Sequence, residues 1–510
     1  MIVKEGRTPK LLPYDMAHVV RRPDGTLGYD NLPKSLVEQF ENTVGAYGSE
    51  EALYELGGER VTYQQLWDRS ARVAGGLAAI GIAPGERVAI NLPNGNNWAY
   101  AFYGVLMAGG VVVPVNTRFS EAEVDYVVTD SGAKYVFTAD KALPDAEPTV
   151  HRDRGGKDLG AIFYTSGTTG FPKGAMTTHE NFLANCETVN RVMRLPDGMR
   201  MRNLISVPMF HVTGCNSQLL IAVMKGGTAV IMPAFDVQLF LKTIVEERIN
   251  VCVSVPAIYW LAMNQPNFKD FDMSGVRVLT YGGAPTAADV VGKIAAAWPN
   301  ARLGNGFGLT ETASVSTFLP HEYCDTRPET VGLAAPVIEL DLFEVDPDTG
   351  VGELLIRGQN IVAGYWNKPE QTAETFVNGW LHTGDLAKLD DDGFCQIVDR
   401  KKDMVNRGGE NVYCVEVEGA IVQHPDVFEV AVVGVPDEMM GEKVGAIIVP
   451  QPGSNPDPKD IRAFCKTLIA DFKVPQYITF RKEPLPRNAG GKVLKPILRK
   501  ETVWGEQIRS

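Results

Sequence analysis

Residues 163–175, FYTSGTTGFPKGA, bring hydroxyl side chains, glycines and one lysine into a single row. Hydroxyls and backbone N–H groups donate hydrogen bonds, glycine lets the backbone approach a ligand closely, and lysine supplies a positive charge. These groups suit phosphate oxygens. The candidate phosphate-binding residues are Thr165, Ser166, Gly167, Thr168, Thr169, Gly170 and Lys173. The alternative is a surface linker, which Ser/Gly/Thr clusters often form.

The position of this row along the chain favours the phosphate loop. LGAIFY (159–164) is a compact apolar run that predicts a buried strand. Thr177-x-x-Glu180 predicts a capping box that opens a helix reaching about Val192. A loop between a strand and a helix can direct backbone N–H groups at an anion. We therefore predict that this loop binds phosphate.

The neighbours of Lys173 distinguish this loop from a P-loop of the G-x-x-x-x-G-K-[ST] type. Pro172 precedes the lysine and Gly174 follows it, so the sequence fails that pattern. Proline and glycine at these places also prevent a helix from starting at the lysine. We expect a loop with its own geometry, acting as a movable flap.

Composition limits what else the chain can do. The 510 residues are 45% hydrophobic and 22% charged, which is ordinary for a globular protein and too long for one hydrophobic core. The formal net charge of −13 argues against a nucleic-acid partner or an anionic membrane surface, because phosphate affinity needs a positive field. Any phosphate site must be local.

The cysteines indicate a reducing compartment. Their number is seven, an odd count, and no C-x-x-C pair is present. We interpret them as reduced thiols of a cytoplasmic protein. The N-terminal residues lack the apolar region of a signal peptide, and no apolar run is long enough for a transmembrane segment.

Helices and strands alternate along the first part of the chain, which predicts mostly parallel sheets covered by helices. The predicted elements are a helix capped by Thr62 and Gln65 that runs to about Ile80, a strand at 87–92, a helix at about 98–108, a strand at 111–115, a helix capped by Ser120 and Glu123, and a strand at 134–139. After Pro336 the strands become shorter, which indicates a β subdomain. After Arg400 a small α+β segment follows.

The predicted fold class is therefore α/β. A large N-terminal domain, residues 1–401, contains the helix-covered sheets and the β subdomain. A small mobile α+β domain, residues 402–510, completes the chain.

Eight motifs in a fixed order carry a family resemblance that covers the chain from about residue 35 to 500. They are YTSGTTGFPKG (164–174), PMFHVTG (208–214), YGGAP (281–285), GFGLTET (306–312), GYWNKPEQT (364–372), WLHTGD (380–385), DRKKDMVNRGGENVY (399–413) and PRNAGGK (486–492). The sequence resembles the adenylate-forming superfamily, and within it is most similar to fatty-acyl and aryl-acid CoA ligases. The resemblance implies ATP, Mg²⁺ and CoA as ligands. A carboxylic acid reacts with ATP to give acyl-AMP and pyrophosphate, and CoA then displaces AMP.

The resemblance assigns roles around the phosphates. The loop at 165–173 would wrap the β- and γ-phosphates, and Thr310 would bond the α-phosphate. Glu311 would hold Mg²⁺, a hard cation that suits a carboxylate combined with phosphate oxygens. Taken alone, Glu311 could equally be a solvated surface acid.

The rest of the nucleotide is assigned in the same way. The residues implied for the adenine are Gly282, Gly283, Ala284 and Phe307, and the family usually has tyrosine at the last position. Asn305 and Gly306 are further candidates for binding the nucleotide. Glycine backbone forms one wall of an adenine slot and the aromatic ring the other. Asp385 would bind the ribose hydroxyls with help from Arg400. By itself Asp385 could be a turn residue after Gly384.

The basic C-terminal segment contains the candidate catalytic lysine. Residues 473–500 hold eight Lys or Arg residues and one acid, which is usually a solvated face. The resemblance implies that Lys492 bridges the acyl carboxylate and the α-phosphate. Gly490 stands where the family usually has Ser or Thr. Lys402 is the implied hinge, and Gly408 and Gly409 would line the path of the acceptor. Cys414 replaces the family's proline.

The last candidate is His211. The resemblance implies that it lies beside the acyl carboxylate, and the alternative is a histidine held within the core at the end of a strand. The acid pocket is expected from residues 211–218, 258–262, 284 and 313–316. Three functions remain open. They are an acid–CoA ligase, an adenylating enzyme that transfers the acyl group to an amine, and a non-catalytic nucleotide-binding protein. A homodimer is also left open.

Overall fold

The computed structural model describes residues 6–7, 9–165, 172–196, 198–284, 286, 288–487 and 493–508. The chain divides into two compact units. The first contains the chain up to Asp341 together with Ile356–His382 and Asp390–Cys395. The second contains Leu342–Leu355, Thr383–Leu389 and the chain from Gln396 onward. The predicted domain boundary between residues 401 and 402 remains a prediction.

A nine-stranded sheet dominates the first unit. In spatial order its strands are Leu333–Ala334, Thr317–Leu319, Arg302–Phe307, Val278–Gly282, Val251–Ser254, Arg202–Ile205, Thr228–Ile231, Glu51–Glu55 and Arg60–Thr62. The strands from Arg302–Phe307 to Glu51–Glu55 are parallel, and the outer ones are antiparallel. The predicted mostly parallel arrangement is confirmed.

A second sheet of the first unit carries the predicted phosphate loop. Its five strands in spatial order are Tyr135–Thr138, Arg87–Asn91, Val111–Pro114, Leu159–Thr165 and Lys173–Thr178. The first four are parallel and the last is antiparallel to its neighbour. A separate antiparallel ribbon pairs Val19–Arg21 with Leu27–Tyr29.

Helices surround these sheets. The α-helices of the first unit are Leu36–Tyr47, Tyr63–Ala79, Asn96–Met107, Glu121–Ser131, His179–Met193, Val212–Gly214, Leu220–Met224, Val237–Glu246, Pro256–Met263, Ala288–Ala297 and Pro369–Thr375. Thr62 and Ser120 each make both hydrogen bonds of a capping box, as predicted. None of the helices in the described ranges is long and apolar enough to cross a bilayer.

One buried cluster joins the two sheets of the first unit. It includes Phe102 and Phe182, whose rings meet edge to face with centroids 6.1 Å apart. The same cluster reaches Val112 in the five-stranded sheet and Ile231 in the nine-stranded sheet. Burying a large aromatic side chain contributes about 2–3 kcal/mol. This packing holds together the two sheets whose strands carry Lys173, Gly282 and Phe307.

The predicted β subdomain is also present. Its strands in spatial order are Ile338–Phe343, Gly352–Gly358, Trp380–Leu389 and Phe376–Val377, with Cys395–Arg400 also paired to Trp380–Leu389. Asp385 and Arg400, two candidate site residues, lie on these strands.

The C-terminal part of the second unit is a small α+β structure, as predicted. Its sheet contains, in spatial order, Glu410–Val412, Val405–Arg407, Gly441–Pro450 and Val427–Asp437, with Tyr477–Phe480 parallel to Gly441–Pro450. Its helices are Cys414–Ile421, Pro458–Lys466 and Lys495–Glu501. Val417, Val432, Val444 and Ile461 belong to its buried core.

Candidate active site

The predicted phosphate loop joins two strands of a hairpin. Leu159–Thr165 and Lys173–Thr178 are antiparallel, and Thr165 lies opposite Lys173. The prediction of a loop between a strand and a helix is therefore wrong, because the residues after the loop first continue the sheet. The helix begins only at His179, so its N-terminus does not follow the loop directly. Ser166, Gly167, Thr168, Thr169 and Gly170 lie outside the described residues.

Tyr365 brings Lys173 and Glu311 together. The Lys173 Nζ atom lies 4.9 Å from the centroid of the Tyr365 ring. The Tyr365 hydroxyl donates a hydrogen bond of 2.7 Å to Glu311 Oε1. The sequence placed this tyrosine in a motif, GYW (364–366), without giving it a role. Two residues predicted to act on the phosphates and the cation thus share one aromatic neighbour.

The backbone around Tyr365 is fixed by the hairpin. The Met176 N–H donates to Gly364 O at 2.9 Å, and the Ala363 N–H donates to Met176 O at 3.0 Å. The Trp366 N–H donates to Gly174 O at 2.8 Å. The segment 363–366 therefore extends the sheet beside the strand that begins at Lys173, and this pairing sets the position of the ring.

Glu311 lies on a short turn. Thr310–Thr312 form a 3₁₀ helix, and the Leu309 N–H donates to Thr312 Oγ1 at 2.9 Å. The following residue, Ala313, has a φ of 52°, a left-handed conformation that L-residues adopt rarely. Residues 306–311 are all partly exposed. The turn thus leaves Thr310 and Glu311 accessible to a ligand.

Burial and the neighbouring carboxylate keep Tyr365 protonated. Only 6% of the residue is exposed, and this burial, with the negative charge of Glu311, raises its pKa well above the ordinary value for tyrosine. The phenol therefore remains a hydrogen-bond donor at all working pH values. A carboxylate has about four lone-pair sites, so Glu311 can hold this bond and still accept a cation.

One glycine of the predicted adenine wall, Gly282, is also required by strand packing. Gly282 lies opposite Gly306 in neighbouring parallel strands, and a Cβ on Gly282 would come within 2.0 Å of Gly306 O. Gly283 and Ala284, which follow, are exposed. Nearby, the Asn305 side-chain amide donates to Thr330 O at 3.2 Å and is buried, whereas Phe307 is partly exposed.

His211 is exposed at the start of the helix Val212–Gly214 rather than held in a core strand end. Next to it, Cys215–Leu219 form a π-helical turn, a feature often found at functional sites. The Asn216 side chain donates to Ala313 O at 2.8 Å, and the hydroxyls of Ser217 and Ser314 lie 2.7 Å apart. Two of the segments predicted to line the acid pocket are therefore in contact.

Asp385 and Arg400 form an ion pair within the second unit. Arg400 Nε lies 2.5 Å from Asp385 Oδ1, and the Asp385 side chain is only 3% exposed. Asp385 lies inside a strand, which excludes the alternative of a simple turn residue. The Asp385 N–H donates to Thr383 Oγ1 at 3.1 Å, which fixes its backbone.

Gly408 and Gly409 form the two-residue loop of a hairpin between Val405–Arg407 and Glu410–Val412. Their φ angles are 63° and 94°, the positive values that a type I′ hairpin turn requires. On the same segment, the carbonyl of Lys402 accepts a 3.2 Å hydrogen bond from Arg499. Lys492 lies outside the described residues.

Cys414, which stands where the family has proline, makes two hydrogen bonds. Its N–H donates to Asp399 Oδ2, and its thiol donates to Asp403 O at 3.0 Å. The Arg400 N–H donates to the other oxygen of Asp399 at 2.7 Å. Asp399 therefore closes the segment 400–413 at both of its ends. Burial raises the pKa of Asp399 to about 6, although the nearby positive charge of Lys495 opposes this shift.

Replacing Cys414 by proline is expected to loosen this segment. Proline suits the first position of a helix, but it removes the N–H bound to Asp399. Leaving a buried carboxylate short of a donor costs about 2 kcal/mol. Hydrogen–deuterium exchange in Cys414–Ile421 should become faster in Cys414→Pro and change much less in Cys414→Ala, which keeps the N–H. Equal acceleration in both variants would mean that the thiol, not the N–H, is the important contact.

Comparison with family models matches both parts of the chain. A model described as AMP-binding enzyme matches residues 40–157 and 144–366. A second, described as AMP-binding enzyme C-terminal domain, matches residues 416–492. The chain is 35% identical over 470 residues to a feruloyl-CoA synthase from an Amycolatopsis species, covering 87% of this chain and 94% of that protein. It is 36% identical over 477 residues to the long-chain-fatty-acid–CoA ligase FadD13 of Mycobacterium tuberculosis, covering 87% and 93%.

Solved structures show the same fold. ATP-bound MatB from Rhodopseudomonas palustris has a TM-score of 0.82 at 30% identity, covering 91% of this chain and 98% of that one. The o-succinylbenzoate CoA synthetase MenE of Bacillus subtilis, in complex with its acyl-adenylate intermediate OSB-AMP, has a TM-score of 0.84 at 26% identity, covering 93% and 100%.

Proposed function

The chain belongs to the AMP-binding enzyme family, and we infer that it is an ATP-dependent acid–CoA ligase. It converts a carboxylic acid and ATP into acyl-AMP and pyrophosphate, and the thiol of CoA then displaces AMP to give a thioester. The observation that carries this function is the placement of Lys173 and Glu311 on one tyrosine, in a chain that matches both family models.

Adenylation needs positively charged groups around the triphosphate, because the leaving pyrophosphate and the α-phosphoryl oxygens gain negative charge. We propose that Lys173 and the loop residues 165–170 bind the β- and γ-phosphates and that Thr310 donates to the α-phosphate. Glu311 would hold Mg²⁺, which neutralises phosphate charge when it is bound.

The donor set fits magnesium. Mg²⁺ takes one or two carboxylates and completes its shell with phosphate oxygens and water. No cluster of three or more His, Cys, Asp or Glu side chains suited to a metal occurs in the described ranges. Glu311 would supply one carboxylate to the ion, and phosphate oxygens and water would complete its shell.

The remaining nucleotide contacts are proposals of the same kind. The adenine would lie against Gly282–Ala284 and Phe307, and Asn305 and Gly306 are proposed as further nucleotide-binding residues. The Asp385 carboxylate, oriented by Arg400, would accept the ribose hydroxyls. Substitutions at Ala284, Phe307 and Asp385 test this assignment through the affinity for ATP.

For the second half-reaction we propose a rotation at Lys402 that brings Gly408 and Gly409 to the path of CoA. His211 would lie beside the acyl carboxylate, and Lys492 would act in adenylation. A domain boundary at this hinge, a cytoplasmic location and a homodimer are further expectations. The acid is proposed to be an aryl or a medium- to long-chain aliphatic acid. Two relatives support these classes, since one is named a feruloyl-CoA synthase and the other a long-chain-fatty-acid–CoA ligase.

The test is acid-dependent ATP–pyrophosphate exchange over a panel of aryl and aliphatic acids, followed by mass analysis of the product with CoA or amino acids as acceptor. A thioester supports the ligase. An amide as the main product would support the second function, transfer to an amine. Absence of exchange with every acid would contradict both and leave a nucleotide-binding protein.

A further inference from the structure

We propose that Tyr365 is a positioning residue that keeps Lys173 and Glu311 apart and oriented, so that each charge stays available to Mg-ATP. The proposal rests on the function inferred above. Its basis is the double contact of one side chain, with the ring against the Lys173 ammonium and the hydroxyl on Glu311.

A lysine and a glutamate near one ligand site tend to pair with each other. An ion pair would consume both charges, since the lysine would then face the carboxylate instead of a phosphate. Lys173 and Glu311, both within the described ranges, form no ion pair with each other. Each contacts Tyr365 instead. The ring attracts the ammonium by a cation–π interaction, and the hydroxyl satisfies one carboxylate oxygen.

The ring is held firmly enough to act as a spacer. The Tyr365 N–H donates to Thr372 Oγ1 at 2.9 Å, and its backbone forms a bridge with Ala175. The ring packs edge to face on Phe376, with centroids 5.7 Å apart. It is therefore fixed from the hairpin side and from the following helix. A rigid spacer sets the carboxylate before any ligand arrives, which lowers the cost of ordering it on binding.

Two variants separate the two contacts. Tyr365→Phe keeps the ring and removes the hydroxyl, so only the orientation of Glu311 should suffer. Tyr365→Leu removes the aromatic face as well, so Lys173 and Glu311 can collapse onto each other. The binding of α,β-methylene-ATP, an analogue that cannot be adenylated, is measured by calorimetry with Mg²⁺ and again in EDTA. This readout does not depend on turnover or on knowing the acid.

For Tyr365→Phe we expect the affinity for the Mg²⁺ complex to fall about tenfold, the effect of one hydrogen bond to a charged group. Affinity in EDTA should stay close to that of the unchanged protein. Tyr365→Leu should weaken binding under both conditions. If Tyr365→Leu does not fold, the phenylalanine variant still tests the hydroxyl.

Tyr164 provides a matched control. Its hydroxyl donates to Asp130 Oδ2 at 2.7 Å, the same length and type of contact, but Asp130 is not a predicted ligand. Tyr164→Phe should leave the Mg²⁺ dependence of binding unchanged. The proposal is overturned if Tyr365→Phe binds the Mg²⁺ complex normally, or if both phenylalanine variants lose the same affinity. Failure of the ligase function would appear separately, as absent exchange with every acid.

Discussion

Glu311→Gln should reduce acid-dependent ATP–pyrophosphate exchange by about 100- to 1,000-fold, the usual effect of removing one group that stabilises transition-state charge. Glutamine keeps the size of the side chain, and its amide oxygen can still accept the Tyr365 hydroxyl that now bonds Glu311 Oε1 at 2.7 Å. Only the negative charge disappears. The loss should therefore reflect the cation and not a disturbed turn.

The measurement is the exchange rate with the most active acid of the panel as Mg²⁺ is raised. We expect the variant to need far more Mg²⁺ and to stay slow at saturation. Asp130→Asn is the control, because Asp130 also accepts a tyrosine hydroxyl at 2.7 Å. Normal exchange in Glu311→Gln would show that Glu311 is the solvated surface acid that the sequence also allowed.

Local signals in the sequence predict the helix ends well only where one candidate is present. Two adjacent threonines compete before the helix His179–Met193, because Thr177 precedes Glu180 by three residues and Thr178 precedes Asn181 by three. The structure selects Thr178, whose hydroxyl accepts from the Asn181 N–H. Thr177 belongs to the strand and is buried. Strand register, a non-local property, decides between the two caps.

The strand that follows the predicted phosphate loop could not be predicted from the sequence for the same reason. KGAMTT (173–178) has no strict alternation of polar and apolar residues, so its periodicity does not predict a strand. It becomes one because it pairs with Leu159–Thr165 on one side and with residues 363–366 on the other. The prediction that Lys173 cannot start a helix was correct, since it depended only on the neighbouring proline and glycine.

Tyr365 was missed because its partners are far away in the chain. Glu311 is 54 residues before it, and the sheet that brings Lys173 under its ring is built from three separate segments. From the sequence alone, a tyrosine next to another aromatic residue is typical of the buried core. The contacts of its hydroxyl and its ring become visible only in the folded chain.

Glycines show how one residue can satisfy two requirements. The family resemblance implies that Gly282 forms one wall of the adenine slot, because a flat base needs a surface without side chains. The structure adds that a Cβ there would collide with Gly306 O at 2.0 Å. A loss of ATP affinity in Gly282→Ala would therefore not identify the adenine slot, because the strand pairing itself would be disturbed. Exposed Ala284 is a better position for that test.

Lys492→Ala should divide the two half-reactions. An ammonium that bridges the acyl carboxylate and the α-phosphate acts while charge develops in adenylation, and the thioester step no longer contains a free carboxylate. We expect adenylation to fall about 100- to 1,000-fold and transfer from supplied acyl-AMP to CoA to persist. Single-turnover assays of each step measure this. Lys482→Ala, an exposed lysine of the same basic segment, is the control. Equal losses in both half-reactions would contradict a lysine used in only one of them, and with it the rotation proposed at Lys402.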